Sequence, residues 1–195
     1  MPNGNDRTVL AAFFIGSAFA GGNAVAVRFS NRELPALWGA GLRFALAAIV
    51  LILLMAALRV PLPRGRALLG AILFGAFNFA GAFAFTYYGL VRVQAGFGQT
   101  LLAMVPLLTL ILAVVQRQER IRIDALVGGF VALIGVAFMT GASVGGSVPL
   151  LSVLAILGGA TCFAEAAVLV RLFPKVHPVA RNAVGMTAGA LLLLG

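Results

Sequence analysis

The apolar residues of this 195-residue sequence fall into blocks close to the length that crosses a membrane. A helix rises 1.5 Å per residue, so about 20 apolar residues span the roughly 30 Å of hydrocarbon in a bilayer. The blocks predict spans at 8–27, 35–58, 67–88, 93–115, 124–141 and 149–170, and an incomplete seventh span from Ala183. Charged residues are only 10% of the chain, too few to cover a soluble surface. The sequence therefore predicts an all-α integral membrane protein.

The net charge of +9 would suggest nucleic-acid binding in a soluble protein, but the positions of the charges indicate membrane topology instead. If the amino terminus is cytoplasmic, ten of the 14 basic residues lie in cytoplasmic segments, as the positive-inside rule requires. These ten are Arg7, Arg59, Arg64, Arg66, Arg117, Arg120, Arg122, Arg171, Lys175 and Arg181. We therefore expect a lipid bilayer, and no nucleic acid, as the surroundings of this chain.

The first predicted span also resembles a signal peptide, because the A-x-A pattern of Ala18 to Ala20 follows an apolar stretch. Apolar sequence continues from Ala20 to Val27, which makes a full crossing. We therefore favour a retained span.

An internal repeat becomes visible when the sequence is shifted by 143 residues. Residues 10–51 then lie over 153–194 without gaps and share eleven identities, including AVAVR at 24–28 over AVLVR at 167–171. Five predicted spans precede the restart, and an odd number turns the second unit upside down in the membrane. We expect a first five-helix repeat at 1–145 and the start of a second at 146–195. Two equal units would need about 286 residues, so the second repeat is expected to be truncated here.

Several stretches are similar to the drug/metabolite transporter superfamily, and specifically to its EamA-type carriers. They are WGAGLRFALAAIVLIL in the second span, AGFGQTLLAMVPLLTLILAVVQRQERI in the fourth and ALVGGFVALIGVAFMTG in the fifth. The resemblance implies two inverted five-helix repeats and a carrier of small metabolites, amino acids or drug-like compounds, with export the favoured direction. It also implies a multi-pass protein of the plasma (inner) membrane and no cofactor.

Polar residues inside the spans are the candidates for lining a substrate cavity. They are Asn23, Asn78, Gln99, Thr161 and Glu165. The alternative for each amide is an interhelical hydrogen bond that only holds helices together. Pro106 leaves a carbonyl without its usual donor and is a candidate hinge in the fourth span.

Two charges lie within predicted spans, where they are costly unless they reach water or a partner. Arg43 either snorkels to the outer headgroups or contacts a pathway or a buried polar group. Glu165 lies six residues before Arg171, about 9 Å inside the cytoplasmic end. We favour Glu165 as part of a cavity wall over a structural carboxylate reached by water. In the EamA pattern this position is usually small or aromatic, so the resemblance assigns it no role.

Two other classes of function compete with a carrier. GASVG at 141–145 matches G-x-S-x-G, but the only histidine, His177, is predicted on the opposite side of the membrane from Ser143. An enzyme is therefore not expected, and no cluster of acids suggests a metal. A non-transporting subunit or half-carrier that needs a partner chain remains the second alternative.

Overall fold

The computed structural model describes residues 10, 13, 14, 35–93, 95–120, 127–129, 131, 134, 135, 138 and 149–195. Most of the first and fifth predicted spans, together with the candidate Asn23, lie outside these residues. Throughout the described part of the chain the regular structure is helical.

Seven α-helices and one π-helical turn make up the described bundle. They are α1 (Ala36–Ala57), α2 (Arg66–Gly75), the π turn (Ala76–Gly81), α3 (Ala82–Leu90), α4 (Ala95–Leu102), α5 (Val105–Val115), α6 (Leu150–Leu169) and α7 (Pro178–Leu194). Four stretches are long and apolar enough to cross a membrane: Leu37–Ala57, Arg66–Leu90, Phe97–Val115 and Leu150–Leu169. They correspond to the second, third, fourth and sixth predicted spans.

Proline sets the start of three helices. Pro35 precedes α1, Pro149 precedes α6, and Pro178 is the first residue of α7. The proline ring fixes φ near the helical value, and the first turn of a helix does not need the missing N–H. Nδ1 of His177 also accepts a hydrogen bond from the Val179 N–H, at 3.3 Å. For this reason α7 begins before the predicted start at Ala183.

The residues are distributed as a bilayer requires, with small side chains inside and large apolar ones outside. Among the residues that the structure describes, buried positions are mostly alanines, and the largest fully buried side chains are Ile156 and Val168. Leu46 and Leu53 of α1 are both 65% exposed, and Leu150 of α6 is 72% exposed. Because lipid tails are as apolar as leucine, such exposure costs nothing in a membrane, while small residues let the helices approach.

Glycines allow α7 to cross the third span at backbone contact. A Cβ added to Gly75, the last residue of α2, would lie 2.1 Å from the carbonyl oxygen of Gly185. A Cβ on Gly189 would lie 2.5 Å from Cβ of Phe79 in the π turn. Gly185 and Gly189 have the spacing of a G-x-x-x-G motif, which permits close helix crossings in membranes. The short distance between the two helices at this crossing therefore depends on glycines, which have no side chains.

Helices α1 and α7 pack antiparallel. Near the start of α1, a Cβ on Gly41 would lie 2.7 Å from the side chain of Leu194, the last residue of α7. Farther along α1, Ile52 lines an apolar cavity of about 520 Å³ together with Val184, which lies in the first half of α7.

Helix α6 packs in the same close manner on α3. A Cβ on Gly159 would lie 2.9 Å from the carbonyl oxygen of Ala82, and one on Gly89 would lie 2.7 Å from that of Ser152.

Basic residues gather at one end of the bundle, which we call the basic end. Contacts between Arg171 and Glu119, and a cavity shared by Ala67 and Lys175, bring the segments after α1, α5 and α6 together there. Its basic residues within the described chain are Arg59, Arg64, Arg66, Arg117, Arg120, Arg171, Lys175 and Arg181.

Candidate functional site

A carboxylate and an amide join α5 to α6 near the basic end. The Nε2 group of Gln116 donates to both carboxylate oxygens of Glu165, at 2.9 and 2.8 Å. Both side chains are half-buried. A hydrogen bond to an ionised group is about twice as strong as a neutral one, so this contact offsets part of the cost of placing a charge inside a span.

Gln118 extends this contact into a network. Its Nε2 group donates to Oε1 of Gln116 and to the carbonyl oxygen of Val168, each at 3.2 Å. Its own Oε1 is buried and has no hydrogen-bond partner among the described residues. We call Gln116, Gln118 and Glu165 the polar latch. It ties the end of the fourth span to the last turns of the sixth.

The backbone after α5 explains why two glutamines can face α6. Arg117 has a left-handed backbone, with φ of 57°. The N–H of Gln118 donates to the Ala113 carbonyl at 2.8 Å, and the N–H of Arg117 donates to the Val114 carbonyl at 2.9 Å. This pair of bonds is a Schellman motif, which ends the helix and turns the chain sharply.

The ion pair of Arg171 with Glu119 lies outside the polar latch, at the surface. The two side chains are 52% and 38% exposed. Exposed ion pairs contribute little to stability, so the amide and carboxylate contacts are the stronger tie between α5 and α6.

Arg43 finds its partner on the third span. One guanidinium nitrogen donates to the phenol oxygen of Tyr87 at 2.9 Å. The other terminal nitrogen, Nη1, is buried and has no hydrogen-bond partner in the described part of the chain. The structure pairs Arg43 with a half-buried phenol, and the choice between snorkelling and contact with a pathway or a buried polar group stays a prediction.

Aromatic rings surround this pair and reach toward α6. Phe83 stacks edge-on against Tyr87, with ring centroids 5.7 Å apart, and against Phe163 of α6, at 5.8 Å. Phe44 contacts Phe83 at 4.9 Å. The rings connect the Arg43 side of the bundle to the helix that carries Glu165, through an apolar and polarisable wall.

The other candidates are placed separately. Asn78 is half-buried in the π turn, a helix irregularity that is frequent at functional sites. Gln99 and Thr161 are exposed, and the Thr161 hydroxyl donates to the Leu157 carbonyl of its own helix at 2.8 Å. The hydrogen bonds of the described residues join Glu165 to Gln116 and Arg43 to Tyr87, rather than joining the candidates to one another.

The fourth span breaks close to the candidate hinge. Helix α4 ends at Leu102 and α5 begins at Val105, so Pro106 is the second residue of α5. Proline lacks the N–H that would bond the Leu102 carbonyl, and its ring disfavours continuing the preceding turn.

The sequence did not identify three residues that hydrogen-bond at these sites, namely Gln116, Gln118 and Tyr87. Gln116 ends the fourth span on the same side of the membrane as Glu165, which is a usable signal. Tyr87 lies near the end of the third span, where antiparallel packing against the second span brings it to Arg43.

No curated protein and no solved structure matches the chain. The sequence profile of the EamA-like transporter family matches residues 7–141. That match covers more than half of the chain, and the long apolar helices of the bundle agree with it. The chain therefore belongs to the EamA-like transporter family of multi-pass membrane proteins, whose function is the transport of small molecules.

Proposed function

We propose that this protein is a secondary carrier that exports small metabolites, amino acids or drug-like compounds across the plasma (inner) membrane by alternating access. Its amino terminus is cytoplasmic, so the basic end faces the cytoplasm. Residues 1–145 form a first repeat, and a second, inverted repeat begins at 146. The pathway lies between the two repeats.

The observation that carries this proposal is the antiparallel packing of α1 against α7. The 143-residue shift places α7 over the start of α1, so the two helices are repeat mates. A two-fold axis in the membrane plane requires mates to run in opposite directions. It also requires the contact of Gly41 with Leu194 to recur between Leu51 and Val184. Ile52, the neighbour of Leu51, lines one cavity with Val184, which supports this relation.

The polar candidates have different positions along the proposed pathway. The polar latch forms the wall near the cytoplasmic end, and Arg43 with Tyr87 forms the wall near the opposite end. The Phe83 and Phe163 rings lie between them and suit an apolar or aromatic part of a substrate. Asn78 lines the middle, Gln99 and Thr161 complete the lining, and the break before Pro106 acts as the hinge.

Flux measurements test the proposal. Cells that express the protein are loaded with labelled amino acids, nucleobases or drug-like cations, and the loss of each label is followed. A transported compound should leave faster than from cells without the gene. It should also enter inside-out vesicles and exchange with unlabelled compound. Flux that appears only after a second membrane protein is co-expressed would instead favour the half-carrier.

Glu165→Gln tests the polar latch within the same assay. The variant keeps the shape of the side chain and removes its charge, so we expect transport to be impaired while membrane insertion is unchanged. Glu119→Gln is the matched control, because this exposed carboxylate lies at the same end and pairs with the surface residue Arg171. Full transport by Glu165→Gln would exclude an essential charge there.

A further inference from the structure

A second cavity lies at the basic end, away from the polar latch and from Arg43. Its volume is about 170 Å³, and it lies between the first turns of α2, the segment after α6 and the first turn of α7. Its lining includes Ala67, Gly70, Val170, Phe173, Lys175 and Arg181. About 15 Å³ is enough for one water molecule, so this space accepts a group the size of a phosphate. We call it the basic cavity.

Two cationic residues line the basic cavity. The guanidinium carbon of Arg181 lies 5.1 Å from the centre of the Phe74 ring, a cation–π distance that holds the side chain in place. Its Nε is buried and has no hydrogen-bond partner among the described residues. Lys175 lines the same space from the segment between α6 and α7. The Arg181 side chain is therefore held against Phe74, and its Nε is shielded from water.

The described chain offers these cations no counter-ion. It contains two carboxylates, and both are engaged elsewhere: Glu119 pairs with Arg171, and Glu165 accepts from Gln116. Two like charges beside one partly enclosed space repel each other, and an anion between them removes that cost. The N-terminal end of α7 lies at the same place and adds a positive partial charge.

We propose that the basic cavity binds a phosphate-bearing anion at the membrane surface. Phosphate is the anion that arginine and lysine recognise together, with the guanidinium as a directed donor and the ammonium as a point charge. Basic pockets between membrane helices on the cytoplasmic side are suited to anionic headgroups. The walls formed by Val170 and Phe173 are apolar, which fits the glycerol and upper acyl part of a phospholipid. A soluble phosphate compound offers the same charge.

A binding titration on the purified full chain tests this proposal. The protein in a neutral detergent is titrated with phosphatidylglycerol, with phosphatidylcholine or with inorganic phosphate, and bound ligand is counted by native mass spectrometry. We expect binding of phosphatidylglycerol over phosphatidylcholine. Inorganic phosphate that competes at similar concentration would identify a soluble phosphate compound as the ligand. Failure to compete would identify the lipid headgroup.

Variants locate the site. A basic side chain near a membrane surface strengthens the binding of an anionic headgroup, so Lys175→Gln should weaken binding about five-fold. Lys175→Arg keeps the positive charge and should restore binding. Arg120→Gln is the matched control, because it removes an exposed charge from the same end but outside the cavity. Ala67→Phe narrows the cavity and keeps both charges, so it should also weaken binding. Equal losses in Lys175→Gln and Arg120→Gln, no effect of Ala67→Phe, or equal binding of both lipids would each overturn the proposal.

Discussion

The contact between Gln116 and Glu165 is the residue-scale feature with the clearest energetic consequence. Glu165 is half-buried within a span and depends on one amide for both of its described hydrogen bonds. Removing the donor leaves a carboxylate that is partly desolvated and unpaired. Such a change costs about 1–3 kcal/mol when a buried acceptor loses its partner.

Gln116→Ala should therefore lower the thermal midpoint of the purified protein, by an amount equivalent to about 1–2 kcal/mol. Adding Glu165→Ala to this variant should lower the midpoint little further, because the two side chains stabilise the protein as one interacting pair. Gln99→Ala, which removes an exposed amide, serves as the control and should change stability by less than about 0.5 kcal/mol. Additive effects of the two substitutions would show that the contact is not formed.

Arg117 offers a test of the helix ending that positions the polar latch. An L-residue in the left-handed region costs roughly 1–2 kcal/mol, and glycine removes that cost. Arg117→Gly should therefore raise the thermal midpoint. Arg120→Gly removes the same charge at a position without a left-handed backbone, and should not raise it. A lower midpoint for Arg117→Gly than for Arg120→Gly would contradict the Schellman ending.

At the scale of elements, the crossing of α7 over the third span depends on glycine. Gly75→Ala places a Cβ 2.1 Å from the carbonyl oxygen of Gly185, so the helices must separate. Overpacking of this kind costs about 1–3 kcal/mol, and the thermal midpoint should fall. Gly158→Ala is the matched control, since its Cβ would lie 3.6 Å from the Phe85 ring, an ordinary contact. Alanine is also the better helix former there. A midpoint that falls equally for both variants would argue against the crossing.

The limits of prediction from sequence also lie at this scale. The bounds of α1 and α6 were predicted to within a residue or two, because hydropathy and the prolines before each helix determine them. The π turn and the break at 103–104 were not predicted as such, since they depend on how backbone hydrogen bonds are shared within a packed bundle. The partner of Glu165 lies 49 residues away along the chain. Periodicity within one helix cannot identify a contact between two helices. The sequence therefore identified the charge of Glu165 but not its hydrogen-bond donor, Gln116.

For the whole molecule, the decisive expectation is that the two repeats have opposite orientations in the membrane. Three predicted spans separate Leu62 from Gly145, so the segments around them should lie on opposite faces. Cys162 is the only cysteine, and replacing it with serine provides a background for single cysteines at these two positions. A thiol reagent that does not cross membranes should label the cysteine at 145 in intact cells, and the one at 62 only after the cells are opened. A cysteine in place of the exposed Arg64, in the same segment as Leu62, should give the same result as position 62 and controls for local burial. Labelling of positions 62 and 145 from one face would mean that an even number of crossings separates them. The second unit would then not be inverted, and α1 and α7 could not be related by an axis in the membrane plane.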